Sequence, residues 1–199
     1  MKLTTYLFDL DGTLIDTKIY AELYAQILKN VKHKLRLSDE TLDAKAQQLG
    51  LKKNKYGRWD TGDLCRELGM LDMYYNELEK MIRVMPVLHD KVESIFEKLK
   101  QDGKRIGIVS NSMRRTINAY VHKYGLSKYV DFIFSSDDAG CKKEKPDYWD
   151  KLVGKEKLKP KDCVVVGDDL VEDVEVPKAK GFSALHVKSC KDLESVLKL

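Results

Sequence analysis

The segment Tyr6–Leu14, which reads Y-L-F-D-L-D-G-T-L, places two carboxylates at the end of a short apolar run. Gly12 and Thr13 then break the run. If the run is a buried strand, Asp9 and Asp11 lie at the mouth of a sheet. Two carboxylates at such a place repel each other unless a cation or a proton lies between them. The segment therefore predicts a metal ion, and a metal ion beside a free carboxylate predicts phosphate chemistry.

The composition limits the class of protein. A chain of 199 residues can hold one full core and a smaller appended unit, and 43% hydrophobic with 34% charged residues argues against a disordered or membrane protein. The first five residues lack the apolar stretch of a signal peptide, which predicts a cytoplasmic protein. The net charge of +4 is spread among mixed lysines and glutamates rather than concentrated on one segment. We therefore expect neither a nucleic-acid nor a membrane partner.

The cysteines carry no recognisable pattern. Cys65, Cys141, Cys163 and Cys190 lie far apart with no Cys-x-x-Cys pair. Such spacing predicts neither a zinc site nor a disulfide framework.

Apolar segments alternate with amphipathic ones through most of the chain. Helical periodicity is clearest from about 90 to 101, where Val92, Ile95, Phe96 and Leu99 share one face. Alternation of this kind predicts an α/β fold, a doubly wound parallel (Rossmann-like) sheet with helices on both sides. The predicted strands cover residues 4–9, 105–109, 130–134, 162–166 and 182–187.

One long interruption separates the first strand from the rest. Residues 16–85 contain no convincing strand, and helical stretches are predicted at about 19–31, 39–49, 62–68 and 73–83, with Ser38 as a helix cap. We therefore predict a core domain of residues 1–15 and 86–199 and an inserted helical cap domain of residues 16–85. An insertion at this point would cover the sheet edge where open α/β folds bind ligands, so it is a candidate lid.

Within the predicted cap, the basic and aromatic run 52–59 has two interpretations. It steers an anionic substrate, or it is an exposed linker between cap helices.

Polar residues follow three more predicted strands. The second strand leads into Ser110-Asn111-Ser112, the third into Lys145-Pro146-Asp147, and the fourth into Gly167-Asp168-Asp169 and then Glu172-Asp173. The carboxyl ends of parallel strands meet at one edge, so these segments would join Asp9 and Asp11. Carboxylates, a hydroxyl and an ammonium group are what is needed to hold a phosphoryl group beside Mg²⁺.

These segments, in this order, resemble the haloacid dehalogenase-like hydrolases, in the aspartate-nucleophile phosphatase branch with a helical cap after the first strand. Asp9-Leu10-Asp11-Gly12-Thr13-Leu14 resembles the first motif of that family. Ser110 matches the second motif, Lys145 the third, and Gly167-Asp168 with Asp173 the fourth. The resemblance covers essentially the whole chain.

The resemblance implies a catalytic role for each motif. Asp9 is the expected nucleophile, which takes the phosphoryl group as an aspartyl-phosphate. The Asp11 side chain would protonate the leaving alcohol and then accept a proton from water. Ser110 and Asn111 would bind the phosphoryl oxygens with nearby backbone N–H groups, and Lys145 would bind there too and offset negative charge.

The resemblance also implies a Mg²⁺ site. Its expected ligands are Asp9, the backbone carbonyl of Asp11, Asp168, and Asp173 either through water or as the residue that orients Lys145. Two features depart from the family pattern, because Asp169 and Glu172 stand where the family often has Ser and Asn. It is therefore open whether Asp169 or Asp173 contacts the metal, and Lys143 competes with Lys145 in a lysine-rich loop.

The predicted function is Mg²⁺-dependent hydrolysis of small phosphate monoesters. Two alternatives stay open: a phosphoglucomutase-like phosphoryl transfer on sugar phosphates, and a non-catalytic phosphate-binding module. A dehalogenase is disfavoured, because the dehalogenases of the family need neither a metal nor the acid at Asp11. We expect the cap to select the substrate, and the protein to be a monomer or a weak homodimer.

Overall fold

The computed structural model describes residues 3–53 and 57–199, and the chain divides into two compact units. One unit comprises Met1–Thr17 and Val87–Leu199, and the other comprises Lys18–Pro86. The domains predicted from sequence divide after residue 15 and before residue 86. Lys55 of the basic run lies outside the described residues.

A parallel sheet forms the centre of the first unit. Among the described residues it has five strands in the order β3-β2-β1-β4-β5, and each neighbouring pair is parallel. This arrangement confirms the predicted doubly wound α/β fold. The strands are β1 (Thr5–Phe8), β2 (Arg105–Ser110), β3 (Phe132–Ser135), β4 (Cys163–Gly167) and β5 (Ser183–His186).

Strand β1 lies in the middle of the sheet, paired with β2 on one side and β4 on the other. Phe8 is aligned with Ile108 in β2 and with Val166 in β4. The strands that follow β1 in sequence add to one side first and then to the other. Such a reversal of strand order opens a crevice at the carboxyl ends of the strands, where doubly wound folds bind ligands.

Buried side chains cover both faces of the sheet, as expected for central parallel strands. On one face Leu7 joins a cluster with Phe134, Tyr148 and Trp149. On the other face the ring of Phe8 lies 4.9 Å from that of Phe96. The alternation of Leu7 and Phe8 along β1 therefore ties helices to opposite faces.

The described residues of the second unit, Lys18–Pro86, form helices joined by loops and include no strand. Ile19, Leu23, Ile27 and Val31 form a buried stripe along its first helix, at the spacing of a helix face. Ser38 accepts a hydrogen bond from the N–H of Thr41, which confirms the predicted cap. Its helices are α1 (Lys18–Leu35), α2 (Asp39–Gln48), α3 (Thr61–Glu67) and α4 (Leu71–Val84).

The basic run in this unit makes internal contacts. Trp59 is buried and donates a hydrogen bond of 2.7 Å from Nε1 to Asp43, and Lys53 Nζ lies 2.6 Å from the same carboxylate. These contacts favour a structural linker over a surface that steers a substrate.

The sheet unit has five α-helices among its described residues, and the first of them matches the helix predicted at about 90–101. They are α5 (Val92–Gln101), α6 (Arg114–Lys123), α7 (Ser136–Ala139), α8 (Pro146–Glu156) and α9 (Val176–Ala179). The short α7, closed by a capping box between Ser135 and Asp138, was not predicted, because four residues are too few for a helical periodicity. None of the helices described is both long and apolar enough to cross a membrane.

The helix after β4 has an unusual geometry at its start. It begins as a π-helical segment, Leu170–Glu175, and continues as α9. Pro177 cannot donate the hydrogen bond that an α-helix would need at that position. Such widened turns recur at functional sites, and this one carries Glu172 and Asp173.

Candidate active site

The candidate site lies at the carboxyl ends of β1, β2 and β4. Asp9 follows β1 directly and continues its ladder, since its N–H donates to the Val166 carbonyl at 2.9 Å. Ser110 is the last residue of β2, and Asp168 follows the last residue of β4. Asp9 and Ser110 are both buried, at 5% and 1% exposure.

Three carboxylates converge at this edge. One oxygen each from Asp9, Asp168 and Asp173 lies within 4.8 Å of the other two. Asp173 is fully buried, and its approach depends on Gly167, because a Cβ added there would lie 2.5 Å from the Asp173 Cβ. The structure therefore brings together three of the four residues predicted from sequence as metal ligands.

Gly12 makes a second close approach possible. A Cβ on this residue would lie 2.7 Å from the Asp168 Cγ, and its φ of +87° is one that residues with a side chain rarely adopt. The glycine of the first motif thus allows the loop after β1 to contact the loop after β4.

The lysine that contacts the carboxylates is Lys143, whereas the structure places Lys145, the lysine preferred from sequence, at the surface. Lys143 Nζ donates hydrogen bonds to Asp9 Oδ1 and, at 2.7 Å, to Asp173 Oδ1, with only 2% of its side chain exposed. The Lys145 side chain is 64% exposed and lies 3.7 Å from Glu144. It can therefore supply no charge to the buried carboxylates.

The backbone around Lys143 accounts for this difference. The Lys143 N–H donates to Asn111 Oδ1 at 2.7 Å, and its carbonyl accepts from Trp149 Nε1 at 2.9 Å. A turn closed by the Lys145 N–H and the Lys142 carbonyl, 3.0 Å apart, then leads to the surface at the start of α8. Asn111 lies 32 residues away in sequence and Trp149 lies in α8, so the lysine-rich pattern by itself could not distinguish the two lysines.

The charges of this cluster do not balance. Burial raises the pKa of Asp9 well above its ordinary value, and Asp173 and Asp11 add to that rise while Lys143 opposes it. Burial lowers the pKa of Lys143, but Asp9 and Asp173 outweigh burial and hold it well above its usual range. Burial, with the charge of Asp173, also raises the pKa of Asp168. Among the residues that the structure describes, three carboxylates of this cluster face one ammonium group, so the cluster favours a further positive charge.

The residues after β2 make a compact turn. The Ser110 hydroxyl accepts a hydrogen bond of 3.0 Å from the Ser112 N–H, which leaves the hydroxyl proton available to a ligand. Helix α6 begins later, with Met113 as its cap residue, so Ser110 is not the cap of that helix.

The Asn111 side chain is occupied at both ends. Its Oδ1 accepts from the Lys143 N–H, and its Nδ2 donates to Glu172 at 2.6 Å. The structure thus gives this side chain two protein partners, in place of the substrate contact predicted from sequence. Burial raises the pKa of Glu172.

Asp169 and Asp173 have different surroundings. Asp169 Oδ1 caps the π-helical segment by accepting from the N–H groups of Val171 and Glu172, at 2.9 and 3.0 Å. Asp173 belongs to the carboxylate cluster. The geometry therefore favours Asp173 over Asp169 as the acid beside a metal.

Asp11 lies next to Ser112, which the sequence did not single out. Ser112 Oγ donates a hydrogen bond of 2.8 Å to Asp11 Oδ2. The only sequence signal for Ser112 is its position two residues after Ser110, at the end of the same strand.

Comparison with known proteins assigns the family. The model of the haloacid dehalogenase-like hydrolases matches residues 3–181. The chain belongs to the haloacid dehalogenase-like hydrolases. The resemblance inferred from the sequence motifs is thereby confirmed.

Relatives of this hydrolase match along most of their length. It is 29% identical to the pyrophosphatase PpaX of Oceanobacillus iheyensis, covering 96% of this chain and 87% of that protein. It is 26% identical to the glyceraldehyde 3-phosphate phosphatase of Methanothermobacter thermautotrophicus, covering 92% and 84%. A phosphatase of the same superfamily from Thermococcus onnurineus has the same fold, with a TM-score of 0.73 at 23% identity, covering 99% and 98% of the two chains.

Proposed function

We propose that this hydrolase is a Mg²⁺-dependent phosphatase that acts on small phosphate monoesters through an aspartyl-phosphate on Asp9. The observation that carries the proposal is the buried Asp9 carboxylate, bound by Lys143 and beside Asp168 and Asp173 at the end of β1. The names of the relatives, a pyrophosphatase and a glyceraldehyde 3-phosphate phosphatase, support small phosphorylated substrates.

The carboxylate cluster fits Mg²⁺. Its donors are oxygens, the preferred ligands of this ion, and its ligand atoms lie within 4.8 Å of one another. We assign the ion to Asp9, Asp168 and the backbone carbonyl of Asp11, with Asp173 acting through water and orienting Lys143. When bound, Mg²⁺ would supply positive charge against the phosphoryl oxygens.

Asp9 performs the first step in this proposal. Its free carboxylate oxygen attacks phosphorus, and the bond between phosphorus and the ester oxygen breaks as Asp11 donates a proton to that oxygen. Lys143 holds Asp9 in place and, with the Ser110 hydroxyl, stabilises charge on the transferring group.

The second step regenerates the enzyme. Asp11 accepts a proton from water while the water oxygen bonds to phosphorus, and the bond between phosphorus and Asp9 breaks. Orthophosphate leaves. Burial of Asp9 favours this chemistry, since few waters surround the reacting carboxylate.

Phosphate release tests the proposal directly. The purified protein, freed of metal with a chelator, is assayed with 4-nitrophenyl phosphate, β-glycerol phosphate, glyceraldehyde 3-phosphate, pyrophosphate and glucose 1-phosphate, with and without Mg²⁺. We expect Mg²⁺-dependent release of phosphate from monoesters and a loss of about 10³-fold or more in Asp9→Asn, since the covalent path is removed.

The same assay separates the alternatives. Conversion of glucose 1-phosphate to its isomer, with the bisphosphate present and without free phosphate, would support a mutase. Mg²⁺-dependent binding across the panel without turnover would support a binding module. Turnover by Asp9→Asn would exclude Asp9 as the nucleophile. Three further points stay predictions from the sequence. They are the selection of substrate by the helical unit Lys18–Pro86, the cytoplasmic location, and the monomeric or weakly dimeric state.

A further inference from the structure

A side-chain hydrogen bond joins the loops that follow two neighbouring strands. Ser112 Oγ donates to Asp11 Oδ2 at 2.8 Å, across a separation of 101 residues. The two loops belong to β1 and β2, which pair directly in the sheet. The contact therefore lies at the carboxyl ends of the strands, where the candidate active site is.

Ser112 is itself held in place. Its N–H donates to the Ser110 hydroxyl at 3.0 Å, and its carbonyl accepts from the Ser136 hydroxyl at 3.4 Å. The Ser112 hydroxyl thus projects from a backbone that is fixed on both sides. A donor fixed in this way can restrict the orientation of the carboxylate that it binds.

Backbone hydrogen bonds hold the loop around Asp11. The Gly12 N–H donates to the Ile15 carbonyl at 2.9 Å, and the Leu14 N–H donates to the Leu10 carbonyl at 3.0 Å. These bonds do not involve the Asp11 side chain, whereas the bond from Ser112 contacts the carboxylate directly, at Oδ2.

We propose that Ser112 is the positioning residue for the acid/base Asp11, and this inference rests on the proposed phosphatase activity. While the bond from Asp9 to phosphorus forms and the ester bond breaks, the proton on the Asp11 carboxyl group moves to the leaving oxygen. In the second step the Asp11 carboxylate takes a proton from water. Ser112 keeps its own proton throughout, and its bond to Oδ2 holds the carboxyl group in the orientation from which the proton is transferred.

The leaving group gives a readout that a purely structural role would not produce. An alkyl phosphate expels a strongly basic alkoxide, which needs a proton from Asp11. A 2,4-dinitrophenyl phosphate expels a weakly basic phenolate, which needs none. Because kcat/KM reports the steps up to the first irreversible one, loss of positioning should lower kcat/KM for the alkyl ester only.

The experiment compares Ser112→Ala with two other variants. Ser112→Thr retains the hydroxyl donor. Ser94→Ala removes an exposed hydroxyl on α5 that bonds the Lys91 carbonyl and contacts neither Ser112 nor Asp11. kcat/KM is measured for β-glycerol phosphate and 2,4-dinitrophenyl phosphate at saturating Mg²⁺, with thermal unfolding as a check on folding.

We expect Ser112→Ala to lower kcat/KM for β-glycerol phosphate by about 10- to 100-fold, part of the ~10²–10⁴ that a general acid contributes. The value for the dinitrophenyl ester should change by less than about twofold, and Ser112→Thr and Ser94→Ala should stay near the wild type on both esters. Equal losses on the two esters, or a gain on the alkyl ester, would overturn the role of Ser112. If the wild type turned over neither ester, the proposed phosphatase itself would fail.

Discussion

The ammonium group of Lys143 lies 2.7 Å from Asp173 Oδ1, and both side chains are almost completely buried. The same ammonium group binds Asp9, so one cation joins the end of β1 to the π-helical segment after β4. A buried charge of this kind is stable only while its partners are present. Lys143 therefore has both a structural and a chemical role at the site.

Replacement of Lys143 by Met should remove activity and destabilise the fold. The substitution leaves Asp9 and Asp173 buried without a counter-charge, which typically costs about 3–5 kcal/mol of unfolding free energy. We expect kcat/KM for 4-nitrophenyl phosphate to fall by at least about 10²-fold, comparable with removal of one stabilising donor at a charged transition state. Steady-state kinetics and urea unfolding measure the two effects.

Lys145→Met is the matched control, since it makes the same change two residues away on an exposed side chain. Its activity should stay within about twofold of the wild type and its unfolding free energy within about 0.5 kcal/mol. If Lys145→Met lost as much activity as Lys143→Met, the assignment of the lysine would be wrong.

Much of the fold could be predicted from local patterns. The Val164-Val165-Val166 run indicated a strand buried on both faces, and the apolar face of residues 92–99 indicated α5. These patterns are properties of contiguous residues. The edge at which Asp9, Ser110 and Asp168 meet followed from the parallel topology alone.

The identity of the lysine could not be predicted in this way. It depends on Asn111 and Trp149, which hold the backbone of Lys143 from two other elements. The contact from Ser112 to Asp11 likewise joins two loops, and no periodicity or motif spacing encodes it. Sequence patterns thus indicated which edge carries the chemistry, whereas tertiary contacts determine which side chains face it.

Asp168 and Asp169 should differ in their effect on metal binding. Asp168 lies in the carboxylate cluster, whereas Asp169 caps the π-helical segment. Asp168→Asn should raise the Mg²⁺ concentration needed for half-maximal activity by more than about tenfold, because one charged ligand is lost. A Mg²⁺ titration of phosphate release measures this.

Asp169→Ala serves as the comparison. Loss of a cap should lower the unfolding free energy by about 1 kcal/mol while the Mg²⁺ requirement stays near that of the wild type. If Asp169→Ala shifted the Mg²⁺ requirement strongly and Asp168→Asn did not, Asp169 and not Asp168 would be the metal ligand.

Asn111 should act on the reaction through Lys143. Asn111→Asp keeps the acceptor for the Lys143 N–H but replaces the donor to Glu172 with a second carboxylate, at a contact of 2.6 Å. Like charges at this separation repel, so we expect the turn to shift and kcat to fall by about 10-fold or more.

The matched substitution is Glu172→Gln, which removes the repulsion. Activity in the double variant should recover toward that of Glu172→Gln alone, as expected for two residues in direct contact. Additive losses in this double-mutant cycle would contradict the coupling.

Asp138 should contribute stability that depends on pH. Burial tends to raise its pKa, but hydrogen bonds from Lys155, Ser135 and Arg114 outweigh burial and lower the pKa below its ordinary range. Lys155 Nζ lies 2.7 Å from Oδ1, and the Ser135 N–H lies 2.9 Å from Oδ2. Asp138→Asn should therefore lower the unfolding free energy at pH 7 by about 2 kcal/mol, the size of a hydrogen-bonded charged group.

The direction of the pH dependence follows from the lowered pKa of Asp138 in the folded protein. The contribution is fully present above the unfolded-state pKa of about 3.9 and is lost as the pH falls through the lower folded-state value. The difference in unfolding free energy between the wild type and Asp138→Asn should stay constant from pH 7 to about pH 5 and shrink below about pH 4.

Asp150→Asn, which removes a 60% exposed partner of Lys180, is the control and should cost less than about 0.5 kcal/mol of unfolding free energy at every pH. Urea unfolding at a series of pH values measures these differences. If the difference in unfolding free energy between the wild type and Asp138→Asn grew on acidification, the pKa of Asp138 would not be lowered in the folded protein.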